Sequence, residues 1–425
     1  MVFHDLVIVG GGPAGLAAAE SAFDAGIKDI VVLEREQRLG GILNQCVHNG
    51  FGLHTFNEEL TGPEYAQRYI DRVAARGIAC YLNTTVINIS ADKVVTAVSA
   101  DKGVIAVKAK AVILACGCRE RPRVAIYIAG ARCAGIFSAG TAQKLVNMEG
   151  LMPGKKVVIL GSGDIGLIMA RRMTFEGCEV KACVELMPYS SGLNRNIVQC
   201  LNDFNIPLLL SHTVVKINSR DGRLSGVVIA AVDQNRNPVA GTETPIECDT
   251  LLLSVGLLPE NELAKAAGVA LSPVTGGAEV DDDMMTGVDG IFECGNVLHV
   301  HDLVDFVSNE SALAGKKAAE YIAGGAAKRG ECVSFSTFGG VRYVVPQKLR
   351  RDEGNGELSL KMRVSSVMKN VRLEVVADGQ TILSRPRRIV APGEMEVLSL
   401  NAQQAAALRR ANNISVGLTG GENHD

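Results

Sequence analysis

The stretch Val7-Ile8-Val9-Gly10-Gly11-Gly12-Pro13-Ala14-Gly15 decides the fold of the first part of this chain, because an apolar strand runs directly into a glycine-rich turn. The last six residues fit the pattern Gly-x-Gly-x-x-Gly, and an alanine-rich segment with helical character follows to residue 25. Glu34 ends the next apolar stretch, 24 residues after Gly10. A strand, a glycine turn, a helix and a second strand ending in an acid together predict a dinucleotide-binding βαβ unit.

Each glycine of this first fingerprint meets one requirement of a bound dinucleotide. Gly10 permits the tight turn, Gly12 lets the backbone approach a pyrophosphate, and Gly15 lets helix and strand pack closely. The phosphates would lie at the N-terminus of the following helix, where unpaired N–H groups and the helix dipole favour negative charge. Glu34 would accept the hydroxyls of an adenosine ribose. The predicted contacts are Gly10, Gly12, Pro13, Ala14, Gly15, Glu34 and Arg35.

A second fingerprint, Gly161–Gly166, lies in the same local context, with Glu185 again 24 residues after its first glycine. Two fingerprints in one polypeptide indicate two nucleotide cofactors and electron transfer between them. A carboxylate at Glu185 would bond a free 2′-hydroxyl and repel a 2′-phosphate, and residues 186–190 contain no arginine. We therefore expect NAD(H) rather than NADP(H) here. The predicted contacts are Gly161, Gly163, Asp164, Ile165, Gly166, Glu185 and Gly256.

Composition excludes several classes of partner. A formal charge of −3 and a pI near 6.2 offer no electrostatic case for nucleic acid or an anionic membrane. No apolar run reaches the roughly 20 residues of a membrane span, and the apolar start lacks the basic flank of a signal peptide. The eleven cysteines are scattered without a CxxC pair, so we expect reduced thiols and a cytoplasmic protein.

From about Phe335 the pattern changes to short alternating strands. Asp378-Gly379 is a hairpin signal, and Asn401 is a candidate N-cap for a short helix over 402–411. Strands at this spacing predict an all-β sandwich of immunoglobulin-like size over residues 335–425. The run Arg385–Arg388 is either a solvated edge strand or a contact for an acidic partner.

A distant segment, Thr286–Asn296, resembles the second FAD signature of two-dinucleotide-binding-domain flavoproteins. That family has an aspartate, which bonds the ribityl chain, at the position of Asn296. An amide can still donate and accept there. The resemblance implies that Gly295 and Asn296 contact FAD. It also implies that the helix near 304–314, at Val307, points backbone N–H groups at the flavin pyrimidine oxygen.

Over about residues 1–325 the chain resembles the pyridine nucleotide–disulfide oxidoreductase superfamily. The phrases Gly41–Cys46, Ala115–Pro122 and Ser254–Asn261 are similar to bacterial flavoproteins associated with glycerol-3-phosphate and 2-hydroxyacid oxidation, and to large flavin subunits of amine and opine dehydrogenases. The implied fold is α/β, with an NAD domain (153–250) inserted into an FAD domain (1–125 and 251–330), followed by the β sandwich. Further implied flavin contacts are Gly41, Gln45, Cys116 and Gly117.

The superfamily's redox-active dithiol is missing. A CxxxxC would place its cysteines at the positions of Leu43 and His48. Cys46 and His48 are nevertheless expected near the flavin, either as a reactive thiolate–imidazole pair, and so as candidate catalytic residues, or as pocket lining. Cys116 and Cys118 are expected to touch FAD or pack.

The histidines His299 and His301, with Asp302 and Asp305, could form a metal site, but this spacing favours a polar stretch beside the flavin and no metal.

The sequence therefore predicts an FAD-dependent oxidoreductase that transfers hydride between NAD(H) and flavin. The resemblance implies that the flavin exchanges electrons with a small-molecule substrate or a partner flavoprotein subunit that oxidises glycerol 3-phosphate, a hydroxyacid or an amine. The C-terminal sandwich is a candidate docking or oligomer surface. A stand-alone NADH oxidase or thioredoxin-reductase-like enzyme, and a flavin-binding assembly subunit without turnover, remain as alternatives.

Overall fold

The computed structural model describes residues 1–324, 330–351 and 356–423. The chain forms two compact units, one of residues 1–118 with 259–425 and the other of residues 119–258. This division is coarser than the three predicted domain ranges, whose boundaries stay a prediction. Within the described residues, no helix has the length and apolar character that crossing a membrane requires.

The first unit is built on a parallel sheet around the strand Val2–Val9. Its neighbours on the two sides are Ile30–Leu33 and Gly103–Leu114, both parallel to it. Ala79–Tyr81 extends the sheet beyond Ile30–Leu33, and Ile291–Glu293 pairs in parallel with Gly103–Leu114. The second half of Val2–Val9 and all of Ile30–Leu33 are buried. Such continuous apolar runs are typical of a parallel sheet that is covered on both faces.

Gly103–Leu114 is a single long strand that takes part in two kinds of pairing. Lys108 and Lys110 do not interrupt it, because side chains alternate along a strand and both lysines lie on the more exposed face while Val107 and Ala109 are buried. The first half pairs antiparallel with Val94–Ser99, which in turn pairs with Thr84–Ile89.

Two helices of the first unit meet at a glycine. Pro13–Asp24 contacts Val304–Gly324, and a Cβ atom at Gly315 would lie 2.2 Å from the carbonyl oxygen of Ala18. Gly315 therefore allows the two helix backbones to approach. The other helices of residues 1–118 and 259–324 are Gly62–Ala75 and Glu262–Ala266, with 3₁₀ segments at Gly41–Gln45 and Gly295–Val297.

The second unit contains its own parallel sheet, whose strands lie in the order Ile136–Ser138, Thr250–Leu253, Lys156–Leu160, Glu179–Val184 and Leu208–Leu209. Its helices are Ala139–Met148, Asp164–Phe175 and Asn194–Cys200. A second sheet holds Ala129–Gly130, His212–Arg220, Arg223–Ala231 and Thr244–Ile246. Asp221-Gly222 forms the hairpin turn between His212–Arg220 and Arg223–Ala231, and both residues have positive φ as a type I′ turn requires.

The C-terminal β domain, residues 332–423, consists of two sheets with a shared apolar core. The larger contains Lys348–Arg350, Cys332–Phe338, Ile414–Thr419, Met368–Ala377 and Gln380–Val390, with Glu422–Asn423 beside Met368–Ala377. The smaller contains Val341–Val345, Leu358–Val364 and Glu396–Leu400. The predicted helix is present as Ala402–Arg410, and Asn401 caps it through a capping box with Gln404. The hairpin at Asp378-Gly379 is also confirmed.

Candidate functional site

The first fingerprint has the geometry of a phosphate-binding turn. Gly10 has a φ of 109°, and a Cβ atom there would lie 2.4 Å from the carbonyl oxygen of Ala115. A Cβ at Gly15 would lie 1.8 Å from the carbonyl oxygen of Gly10. At Gly12, by contrast, the nearest described atom outside the adjacent residues is the Cα of Gly41, 3.8 Å from such a Cβ. The helix begins at Pro13 without a side-chain cap, so its first N–H groups are available to an anion.

Glu34 is tied to this turn and is only 5% exposed. Its Oε2 accepts a hydrogen bond from the backbone N–H of Gly11 at 2.6 Å, and its Oε1 accepts one from the N–H of Glu36 at 2.8 Å. A carboxylate has about four acceptor positions, so each oxygen retains capacity for a ribose hydroxyl. These residues therefore fit the adenosine diphosphate part of FAD.

The second fingerprint repeats the first in detail. Gly161 has a φ of 97°, and a Cβ there would lie 2.1 Å from the carbonyl oxygen of Ser254. Glu185 Oε2 accepts hydrogen bonds from Ser162 N at 2.9 Å and Ser162 Oγ at 2.6 Å, and its Oε1 accepts one from Met187 N at 2.9 Å. The second unit thus carries the same arrangement of acid and glycine turn as the first.

Asp164, which the motif predicts as a cofactor contact, also has a structural role. Its Oδ1 accepts hydrogen bonds from Leu193 N at 2.8 Å and from Asn196 Nδ2 at 2.7 Å. It therefore anchors the start of the helix Asn194–Cys200 to the start of the fingerprint helix. Gly166, next to Ile165, donates its N–H to Ser254 Oγ at 3.1 Å.

The distant FAD signature lies against the first fingerprint. Gly295 has a φ of 75°, and a Cβ there would lie 2.8 Å from the Cβ of Ala14 and 3.3 Å from Cγ1 of Val307. The Oδ1 of Asn296 is engaged by the backbone N of His301 at 3.0 Å and by its Nδ1 at 3.3 Å. This arrangement leaves the Asn296 amide nitrogen as the group that would donate to a ribityl hydroxyl.

Glu310 is a residue of this region that the sequence reasoning missed. Its Oε1 accepts the backbone N–H of Gly295 at 3.0 Å. Its Oε2 contacts His299 Nε2 at 2.8 Å, His301 Nε2 at 3.3 Å and Lys361 Nζ at 2.6 Å. Burial alone would raise the pKa of Glu310, but Lys361 and the imidazoles hold that pKa well below its usual range. Burial lowers the pKa of His299 to about 4.

His299, His301 and Glu310 place their ligand atoms within 4.8 Å of one another, the spacing of a metal site. Asp302 and Asp305 are elsewhere: Asp302 pairs with Arg363, and Asp305 accepts hydrogen bonds from the N–H groups of Gly52 and Thr55. Because the Lys361 ammonium group contacts the shared Glu310 oxygen, that carboxylate already has a cation. The expectation of no bound metal stays a prediction.

Cys46 and His48, the candidate catalytic pair, follow the 3₁₀ segment Gly41–Gln45. The surroundings of Cys46 disfavour its thiolate form. Cys46 Sγ donates to the carbonyl of Ile42 at 3.4 Å, and burial raises the pKa of Cys46 to about 12. The His48 ring lies 5.1 Å from the ring of Phe51. A protonated thiol favours pocket lining over a reactive thiolate. A catalytic role for Cys46 and His48 stays a prediction.

The other predicted contacts have varied surroundings. Gln45 is buried, whereas the Arg35 side chain is 68% exposed beside Glu36. Burial, with the nearby acid Glu293, raises the pKa of Cys116 to about 12, which favours packing or FAD contact over redox chemistry. Gly117 has a φ of 72°.

In the second unit, Gly256 has a φ of 102° and accepts a hydrogen bond from Arg121 N at 2.9 Å. All eleven cysteines of the chain are thiols.

Glu293 was also missed, although it lies within the quoted FAD signature. It is fully buried, and its Oε1 accepts the N–H of Ala278 at 2.7 Å. Burial raises the pKa of Glu293 to about 8. This side chain is therefore a buried carboxylic acid that is largely neutral at pH 7.

Several characterised proteins are similar to the chain. It is 27% identical over 322 residues to an opine oxidase subunit of Agrobacterium tumefaciens, a match that covers 69% of this chain and 61% of that protein. It is also 27% identical over 351 residues to the glutamate synthase [NADPH] small chain of Mycobacterium tuberculosis, covering 76% and 67%. The chain thus spans about three fifths of the opine oxidase subunits it matches.

Solved structures agree on the fold. Thioredoxin reductase of T. acidophilum matches with a TM-score of 0.61 at 23% identity, over 75% of this chain and 99% of that chain. L-proline dehydrogenase of P. horikoshii matches with a TM-score of 0.51 at 20% identity, over 74% and 54%. The predicted α/β fold with Rossmann-like domains is therefore confirmed.

The family comparison covers most of the chain and stops before the C-terminal β domain. The family model described as pyridine nucleotide-disulphide oxidoreductase matches residues 4–318. Members of this family bind FAD and NAD(P)H, which confirms the expected pair of cofactors at that level. The chain therefore belongs to the pyridine nucleotide-disulphide oxidoreductase family, whose members are FAD-dependent oxidoreductases.

Proposed function

We propose that this protein transfers hydride between NAD(H), bound by the second fingerprint, and FAD, bound by the first. FAD supplies the chemistry that accepts and releases electrons, whereas the chain's own residues bind, orient and shield the two nucleotides. The flavin's electrons are exchanged with a second substrate or with a partner flavoprotein subunit. The repeated geometry of the two acids carries this proposal.

Glu34 and Glu185 make equivalent contacts in the two units. Each is buried and accepts the N–H of the second fingerprint residue and the N–H two positions after itself. Such an acid recognises ribose hydroxyls. Two intact acids beside two open glycine turns support two bound nucleotides, and therefore turnover rather than a purely structural flavin.

The second nucleotide is NAD(H) rather than NADP(H) in this proposal. Glu185 presents a carboxylate where a 2′-phosphate would lie, and the nearby residues 186–190 offer no arginine to neutralise that phosphate. The two hydrogen bonds from Ser162 hold the carboxylate in place. Electrostatic repulsion would therefore penalise NADPH.

The second electron partner is proposed from the relatives. Two of them are named as parts of larger enzymes, a glutamate synthase small chain and an opine oxidase subunit. We therefore favour a partner flavoprotein subunit that oxidises glycerol 3-phosphate, a hydroxyacid or an amine. A thioredoxin-reductase-like activity is disfavoured because the chain contains no CxxC pair and no CxxxxC pair follows the first fingerprint unit.

Anaerobic stopped-flow mixing tests the proposal. The purified protein, saturated with FAD, is mixed with NADH or with NADPH, and the flavin absorbance is followed. We expect NADH to bleach the flavin faster than NADPH does. Absence of bleaching with either nucleotide would support the alternative of a flavin-binding assembly subunit. Copurification of an oxidising subunit from the native source would identify the second partner.

A further inference from the structure

The C-terminal β domain holds the loop of residues 298–303, which joins Asn296 to the helix Val304–Gly324. Arg363 pairs with Asp302 and donates to the carbonyl of Val300 at 3.2 Å. Met395 donates its N–H to Asp302 Oδ2 at 2.7 Å. Lys361 lies two residues before Arg363 on one strand and therefore points to the same face.

Lys361 is linked to Asn296 by a continuous series of polar contacts. Its Nζ lies 2.6 Å from Glu310 Oε2, the same oxygen lies 3.3 Å from His301 Nε2, and His301 Nδ1 lies 3.3 Å from Asn296 Oδ1. The other Glu310 oxygen accepts the N–H of Gly295. Glu310 is therefore hydrogen-bonded directly to Gly295 and is linked to Asn296 through His301.

Charge explains why a lysine is needed at this point. The Glu310 side chain is 1% exposed and the Lys361 side chain 14% exposed. A buried carboxylate is stable only when it is paired, so without the ammonium group Glu310 would carry an uncompensated charge or take up a proton. Either change would disturb His301 and, through it, Asn296.

We propose that Lys361 of the C-terminal β domain is a positioning residue of the flavin site. Through Glu310 and His301 it fixes the orientation of Asn296, and its positive charge offsets the negative charge of Glu310 beside the bound flavin. The proposal rests on the proposed function for the presence of FAD at Gly295 and Asn296. It adds a role for a domain that lies beyond the residues matched by the family.

The test compares Lys361→Met with a matched control. Arg409→Met also removes a cation of the C-terminal domain from a buried ion pair, but the partners of Arg409 are Asp282, at 2.7 Å, and the carbonyl of Arg350. For each holoprotein we would measure the FAD reduction potential against reference dyes. FAD would then be removed, and its dissociation constant measured by fluorescence titration.

We expect Lys361→Met to weaken FAD binding about tenfold and to lower the reduction potential, because an uncompensated Glu310 opposes the negative charge of reduced flavin. A tenfold change in the ratio of affinities for the two redox states corresponds to about 30 mV. Lys361→Arg should retain both properties. Arg409→Met should lower thermal stability while leaving affinity and potential unchanged.

Two results would overturn the proposal: unchanged affinity and potential in Lys361→Met, or an equal loss in Arg409→Met. If Lys361→Met does not fold, Lys361→Gln and the double variant Lys361→Met/Glu310→Gln replace it. We expect Lys361→Gln to lower the FAD reduction potential. The double variant removes both charges, so its reduction potential should be closer to that of wild type than the potential of Lys361→Gln is. The opposite order contradicts the charge argument. Failure of the wild type to bind FAD would instead remove the proposed function itself.

Discussion

Glu185 accepts two hydrogen bonds from Ser162, one from its backbone N at 2.9 Å and one from its Oγ at 2.6 Å. In the first unit Gly11 occupies the position that corresponds to Ser162, so Glu34 accepts the backbone N–H of that position without a hydroxyl beside it. The second acid is therefore held more tightly, and its remaining acceptor capacity is smaller.

Glu185→Gln is expected to reduce the preference for NADH. The amide removes the charge that repels a 2′-phosphate and weakens the bond to the 2′-hydroxyl, a loss of about 1.5 kcal/mol for one charged hydrogen bond. The ratio of kcat/KM for NADH over NADPH should fall about tenfold. Glu34→Gln is the matched control, because it should weaken FAD retention without changing that ratio. An unchanged ratio in Glu185→Gln would show that Glu185 does not select the nucleotide.

Cys46→Ser should leave NADH-driven flavin reduction within about twofold of wild type, because a thiol with a pKa near 12 contributes no thiolate at neutral pH. Alkylation of the native protein should reach the exposed Cys332 before Cys46. Mass spectrometry of peptides after a short pulse of iodoacetamide measures this order. Complete loss of flavin reduction in Cys46→Ser would establish the reactive-pair alternative.

Glu293 should make stability depend on pH. Its folded-state pKa of about 8 lies above the ordinary value of 4.5, so the protonated form is favoured on folding. The contribution of the neutral acid to the free energy of unfolding is fully present below about pH 4.5. It is lost as pH rises through 8, at up to about 1.4 kcal/mol per pH unit. Urea unfolding of wild type and Glu293→Gln from pH 5 to 9 measures this. The free energy of unfolding of Glu293→Gln should increase relative to that of wild type as pH rises. The same pH dependence in both proteins would contradict the assigned pKa of Glu293.

The wild-type protein should purify with far less than one zinc ion per chain, because a metal between His299, His301 and Glu310 would have to displace the Lys361 ammonium group. Elemental analysis by mass spectrometry measures the content. Lys361→Ala removes the competing cation and should raise zinc binding. One tightly held zinc in wild type that is lost in His299→Ala would contradict this expectation.

Gly315→Ala should destabilise the protein by about 1–3 kcal/mol, because the new methyl group would lie 2.2 Å from the Ala18 carbonyl oxygen. Gly324→Ala, in the same helix, meets no atom of the described residues within 4 Å and serves as the control. Urea unfolding compares the two variants. Equal stabilities would mean that the helices separate at little cost.

The sequence by itself determined both fingerprints. Their requirements are local: three glycines at fixed spacing, a strand before them, and an acid 24 residues after the first glycine. The structure places Glu34 and Glu185 on their glycine turns as that spacing implies. The hairpin at Asp378-Gly379 and the cap at Asn401 could be predicted for the same reason, since two to four adjacent residues decide them.

Only the tertiary structure decided the environment of Asn296. Glu310 and Lys361 are 51 residues apart, and neither belongs to a local pattern that marks it. Asp302 and Asp305 are the acids nearest to His299 and His301 in sequence, but the helix Val304–Gly324 brings Glu310 to the two histidines instead. Burial then sets the pKa values of Cys46, Glu293 and Glu310, because desolvation depends on how the whole chain packs around each group.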